Sequence, residues 1–147
     1  MFLDKTLMMS DAQALTSQGA AASTNIIDFG ADIDIAVGTP IEFFVQSVET
    51  FDSSGDATTL AFVLQADDNS SFSSAKSLVS VAAIAQAGLA AGTMLYKGRV
   101  PYGGERYMRV NYTIGAADAT AGKVSAGLAL DVHNRRDYPD ALSTIAV

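Results

Sequence analysis

The chain has 147 residues, of which 49% are hydrophobic and 17% charged, with a formal net charge of −7. That is ample apolar material for one packed core, and fewer charges than the roughly 25% usual in soluble domains, so part of the surface is expected to lie against neighbouring subunits. The absence of cysteine excludes disulfide and thiolate chemistry and fits a reducing cytoplasm, and the acidic balance argues against a generally cationic nucleic-acid surface.

The charge is unevenly spread. Residues 1 to 96 carry 11 acidic and 2 basic side chains, whereas residues 97 to 147 carry 5 acidic and 7 basic ones. At the N-terminus, MFLDKTLMMSDAQ places Asp4 and Lys5 where a secretory signal needs an unbroken apolar run, so no such signal is expected. Phe2, Leu3, Leu7, Met8 and Met9 are too apolar for a solvated tail. Residues 1 to 10 therefore read as an N-terminal arm that adds a strand to its own sheet, or else reaches a neighbour. In residues 10 to 15, SDAQAL, Ser10 is placed either to cap one helical turn or to lie in a frayed edge strand.

Strand-like segments separated by turn chemistry then follow one another. STNIIDF, residues 23 to 29, ends at Gly30, and Ile33 to Val37 ends at Gly38-Thr39-Pro40. Ile41 to Phe51 sets Ile41, Phe43 and Val45 against Glu42, Phe44 and Gln46, and its two-sided hydrophobicity predicts a central strand covered on both faces, or with one face covered by a partner. DSSGDA, residues 52 to 57, and DDNSSFSS, residues 67 to 74, are turn clusters flanking a strand over Thr58 to Ala66, with Leu60, Phe62 and Leu64 inward. Lys76 to Ile84 and Thr93 to Val100 come next. The weakly polar run Val79 to Tyr96 is interrupted by Ser80, Gln86, Gly88, Gly92 and Thr93, and so predicts two strands around a small-residue loop and no membrane span. The clearest alternation comes last. Met108, Val110, Tyr112 and Ile114 oppose Tyr107, Arg109, Asn111 and Thr113; Val124, Ala126, Leu128, Leu130 and Val132 oppose Ser125, Gly127, Ala129 and Asp131. This is the period of half-buried antiparallel strands. The expected fold is all-β, a jelly-roll antiparallel β-sandwich of about eight to ten strands in one domain over 1 to 147.

Little in the sequence carries chemistry. His133 is the only histidine. A metal centre needs several converging ligands, and a hydrolytic serine needs a base with its own orienting group, so neither a metal, a cofactor nor an enzyme is expected. Asp67, Asp68 and Asn69 lack the spacing of a calcium loop and read as a turn bonding its own backbone. Gly103-Gly104 precedes no helix and is no phosphate loop. The basic and aromatic residues Lys97, Arg99, Tyr102, Arg106, Tyr107 and Arg109, with Asn111, Arg135 and Arg136, have the composition of a protein interface, the alternative being a solvated face with internal ion pairs. Leu142, Ile145 and Val147 make residues 133 to 147 a C-terminal arm, lying on its own subunit or on a neighbour.

Taken in order, LDKTLMMSDAQALT, STNIIDFG, LQADDNSSFSSA, RVPYGGERYMRVNYTIG and TAGKVSAGLALDV resemble the jelly-roll cement, or head decoration, proteins of tailed bacteriophages, over about residues 2 to 138. The resemblance implies a structural protein bound outside a shell of major capsid protein. It would be assembled in the bacterial host cytoplasm, self-associate as a homodimer or homotrimer, and contact neither nucleic acid nor membrane directly. The apolar tail DALSTIAV departs from that pattern. A carbohydrate-binding jelly-roll module of a virion is the alternative, less suited to a chain without tryptophan.

Overall fold

The computed structural model describes residues 4–35, 37–38 and 41–130. Its nine strands are β1 (Met8–Ala14), β2 (Gly19–Ala22), β3 (Ile27–Asp28), β4 (Ile41–Ser53), β5 (Thr59–Asp67), β6 (Lys76–Ala85), β7 (Met94–Arg99), β8 (Tyr107–Gly115) and β9 (Ala119–Leu130). They form two antiparallel sheets, one in the order β1-β9-β4-β7 and the other β2-β8-β5-β6, with β3 pairing on β8 beyond β2. Leaving the short β3 aside, the pairings nest: β1 with β9, β2 with β8, β4 with β7 and β5 with β6. That nesting is the winding of a jelly roll, as the alternating segments predicted.

The core lies between the sheets and follows the period of two. Met108, Val110, Tyr112 and Ile114 of β8 face Phe43, Val45, Val124, Ala126 and Leu128 of the other sheet, all buried in one cluster with Leu60, Phe62 and Leu64 of β5. Each such fully buried large side chain stabilises the fold by roughly 1.5–3 kcal/mol relative to exposure. Of the two causes open for the two-sided hydrophobicity of β4, cover from the chain itself is the one found. Phe43 points inward, while Phe44, only 1% exposed, forms a second small cluster with Met8 and Ala129. In register with Phe44 stands Gly127, where a Cβ would come within 2.7 Å of the Leu7 carbonyl; the missing side chain lets the N-terminal segment lie close to the sheet.

Several expectations are corrected. Ile33 to Val37 is not a strand where described; Asp32 and Asp34 accept backbone N–H groups from residues 103 to 106, so the segment is laced to a loop and joins no ladder. Of residues 23 to 29 only Ile27–Asp28 pairs, and the four-residue β2 before it has too little alternation to be read from sequence. Ser10 caps no helix: it sits in β1, and the helical turn that precedes it is Lys5–Leu7, capped by Asp4, whose carboxylate accepts the Thr6 N–H at 2.9 Å. Leu130 was expected in the buried row but is 61% exposed, because it pairs with Ile41 at the rim, where the facing sheet has ended. Residues Met8 and Met9 belong to the chain's own fold, as favoured for the N-terminal arm. Phe2, Leu3, Leu142, Ile145, Val147, Arg135, Arg136, Val132 and His133 lie outside the described residues.

Candidate interaction surfaces

Alternation along β8 turns Tyr107, Arg109, Asn111 and Thr113 away from the core, and the register with β5 sets them beside Asp67, Gln65, Val63 and Ala61. Both cations of this region are held from within the chain. Arg109 donates from Nε to Gln65 Oε1 at 3.0 Å, and its guanidinium stacks 4.0 Å from the centroid of the Phe72 ring. Arg106 forks onto Asp28, donating from Nε to Oδ1 at 2.8 Å and from Nη2 to Oδ2 at 3.0 Å, and lies 4.9 Å from the Tyr107 ring centroid. That fork, with the Gly30 N–H, holds the Asp28 carboxyl below its ordinary pKa.

Phe72 can receive Arg109 because the loop after β5 is tied down. Asp67 is buried; Oδ1 accepts the Asn69 N–H at 2.9 Å and Oδ2 the Ser74 N–H at 2.8 Å, while Asn69 Oδ1 accepts the Ser71 N–H at 2.9 Å. This is the self-bonded turn expected of Asp67-Asp68-Asn69. Burial pushes the Asp67 pKa up, but the accepted N–H bonds outweigh it and leave the carboxyl below its ordinary value; sharing a hydrogen bond with Asp67 raises that of Asp68. The turn also holds Phe72 at φ 53°, in the left-handed region a bulky residue normally avoids.

Lys97 and Arg99 do not join this surface. Although β7 and β8 are consecutive, they lie in opposite sheets, so their outer faces point away from each other. Lys97 Nζ stands 3.8 Å from Glu42 Oε2, and Arg99 is paired in register with the same Glu42. The single Tyr/Arg patch inferred from sequence is therefore two separate groups, divided by the winding of the chain. Asn111 is half-buried between Ala22 and Val63, and Tyr102 alone of the aromatic candidates stands free, 73% exposed. Asp28, Gln65 and Phe72, the partners that hold the arginines, were missed, since only the sheet register brings them within reach of residues 106 and 109.

An open groove of about 430 Å³ lies between Phe51, Asp56, Gln86 and Ala90. Its polar groups serve the fold: Gln86 Nε2 donates to Asp56 Oδ1 at 2.7 Å, and Ser53 Oγ donates to Gln86 Oε1 at 2.6 Å. Among the described residues, no three Asp, Glu or His side chains are grouped to hold a metal ion, and no helix is long and apolar enough to cross a membrane.

The profile of the Bbp16 family matches residues 9–128, from the second residue of β1 to Leu128 of β9. The chain belongs to the Bbp16 family. The matched stretch carries every nested strand pairing of the sandwich and the whole β8 face, Tyr107, Arg109 and Asn111 included. No curated protein matches the sequence.

Proposed function

We propose that this member of the Bbp16 family is a capsid cement protein, a non-enzymatic subunit that sits on the outer surface of a phage head and bridges adjacent copies of the major capsid protein. The observation that carries this reading is the nested strand order. The segments resembling the cement proteins of tailed phages hold β1, β3, β8, nearly all of β9 and the end of β5, and those strands are wound as a jelly roll. The physical task also suits the molecule. A cement protein holds its shape without a cofactor and multiplies modest contacts by the symmetry of the shell. As a homodimer or homotrimer, assembled with the shell in the host cytoplasm, it would raise the temperature or internal pressure needed to open the head.

A second reading, a carbohydrate-binding module of the virion, draws its support from Tyr102, an aromatic side chain 73% exposed on a loop. Two assays separate the readings. Purified protein mixed with undecorated shells is expected to co-sediment with them and to raise their opening temperature. Absence of binding to shells, with a glycan-array signal lost on Tyr102→Ala, would replace the first reading with the second.

A further inference from the structure

Each sheet ends in two edge strands, β1 and β7 in one, β2 and β6 in the other. Three of these edges are closed or blunted within the chain. β1 is met by the segment before β3, where the Asn25 N–H donates to the Met9 carbonyl at 2.9 Å and Asn25 Nδ2 to that of Met8 at 3.3 Å. β2 has four residues, and its Ala22 carbonyl accepts from Gln13 Nε2 at 2.9 Å. β7 has six, Lys97 and Arg99 among them. Cover, shortness and charge are ordinary means of keeping an edge from pairing.

β6 has none of the three. It runs for ten residues, its only charged residue is the first, and among the described residues its backbone from 77 to 84 is bonded to β5 alone. Its two register shifts against β5 bend the strand without disqualifying it, since β4 and β9 carry three and still pair from Ile41 to Ser53. Alternate residues of an antiparallel strand turn their N–H and carbonyl away from the neighbour on one side, and only another extended strand bonds such a row in full.

The strand that fits is indicated by β6 itself. Val81, Ser80 and Val79 stand opposite Phe62, Val63 and Leu64 of β5. Phe62 and Leu64 are buried, so Val79 and Val81 take the core side and Ser80 the outer, where it is exposed. About Ser80 the run Leu78-Val79-Ser80-Val81-Ala82 is nearly the same read in either direction. An antiparallel copy turned about a twofold axis at Ser80 sets Val79 against Val81 and Leu78 against Ala82: β-branched side chains meet, a large one meets a small one, and no charge is opposed. Toward the ends, Lys76, exposed beside Gly103, approaches the other copy's Gln86, whose Nε2 holds Asp56 at 2.7 Å. The remaining charges near the Lys76 end are bonded within their own copy: Asp34 to the Gly103 N–H, Asp68 to Asp67, and Arg109 to Gln65.

We infer that two copies of this chain pair through β6, antiparallel about a twofold axis at Ser80, so that their β2-β8-β5-β6 sheets join into one. The inference rests on the self-association in the reading above and deepens it by choosing the dimer, because an edge paired with itself has no side left for a third copy.

The test starts from the mass of the full chain in solution by light scattering, expected to be that of a dimer. Ser80→Lys and Ser80→Glu each set like charges against each other at the axis; both are expected to dimerise at least about tenfold more weakly, with wild-type far-UV circular dichroism, and their mixture is expected to pair again. A wild-type monomer or trimer overturns the inference, and so does either variant dimerising at wild-type strength or a mixture that stays monomeric. Since the chain has no cysteine, placed thiols report the register. With a short bis-maleimide, Ser80→Cys is expected to cross-link to itself and Ser77→Cys only when mixed with Ala83→Cys; Ser77→Cys linking to itself overturns the antiparallel pairing. Slow hydrogen exchange throughout residues 77 to 84 of a wild-type monomer would mean that the edge is covered within one copy, and overturns it too. Binding to undecorated shells is scored separately: a dimer that ignores shells keeps the pairing and removes the cement reading, and a monomer that binds them does the reverse.

Discussion

The hydroxyls of Ser10 and Tyr112 meet 2.8 Å apart inside the sandwich, although Ser10 belongs to the first strand of one sheet and Tyr112 to the eighth strand of the other. Ser10 Oγ donates to Gln13 Oε1 at 2.7 Å, so the Tyr112 hydroxyl donates to Ser10, and Gln13 Nε2 passes the chain on to the Ala22 carbonyl at 2.9 Å. This relay ties β1 to β8 and β2 across two sheets that no ladder joins.

Its two ends are unequal, which gives a prediction. In Tyr112→Phe, Ser10 keeps Gln13 as partner and the loss is expected to be about 1 kcal/mol. In Ser10→Ala the buried phenol is left with nothing to bond, and the loss is expected at about 2–3 kcal/mol. In a double-mutant cycle by urea unfolding, Ser10→Ala/Tyr112→Phe is expected to cost less than the sum of the two. Equal single losses that add would show that the relay is not coupled.

The same phenol predicts behaviour in alkali. Burial pushes the Tyr112 pKa upward, and the hydrogen bond with Ser10 only partly offsets this. A raised phenol pKa means that the folded state holds its proton after the unfolded state has lost it. The contribution is therefore intact below the ordinary tyrosine pKa of about 10 and is lost as pH climbs above that value. Unfolding midpoints measured from pH 8 to 11 should fall more steeply for the wild type than for Tyr112→Phe.

Asp67 predicts the opposite dependence. Its folded pKa is depressed, so its stabilisation is present above the ordinary aspartate value of about 4 and disappears as pH falls through the lower, folded value. Asp67→Asn should flatten the acid limb of the stability curve. It should also speed hydrogen exchange across residues 68 to 74 and release Phe72 from under Arg109.

Gly122 lies in β9 at φ 144°, and a Cβ there would come within 2.5 Å of the Phe51 ring. Gly122→Ala must move that ring or the strand, at a cost of about 1–3 kcal/mol, and Phe51→Leu should recover part of it by making room. Thermal unfolding of the two single variants and the double variant checks this.

Arg109→Ala separates its two candidate roles. Held by Gln65 and Phe72, Arg109 is expected to matter for the loop after β5, so the variant should show faster exchange over residues 68 to 74 while decorating shells at nearly wild-type strength. Tyr107→Ala, whose ring lies under Arg106, is expected to behave similarly. Weakened decoration without any change in exchange would return both residues to the interface.

The period of two was enough to read β4, β5, β8 and β9, because those strands are long and face the core on one side. It was not enough for β2 and β3, which are too short to show a period and exist because β8 offers them an edge. Leu130 was misjudged for a related reason: alternation says which side a residue faces, not whether a facing sheet reaches that far. The basic patch failed at the level of topology. Lys97 and Arg109 are 12 residues apart in sequence, but the winding sends β7 and β8 to opposite sheets.

The place of β9 has a consequence for biosynthesis. Among the described residues it is the only strand that pairs with β1 in a ladder, and it stands between β1 and β4. Until its residues have left the ribosome, β4 has only β7 as a partner in that layer, so completion of the fold must wait for release of residues 119–130. Folding is then expected to be slow, because its pairings are distant in sequence, and intolerant of premature stop codons anywhere before residue 130.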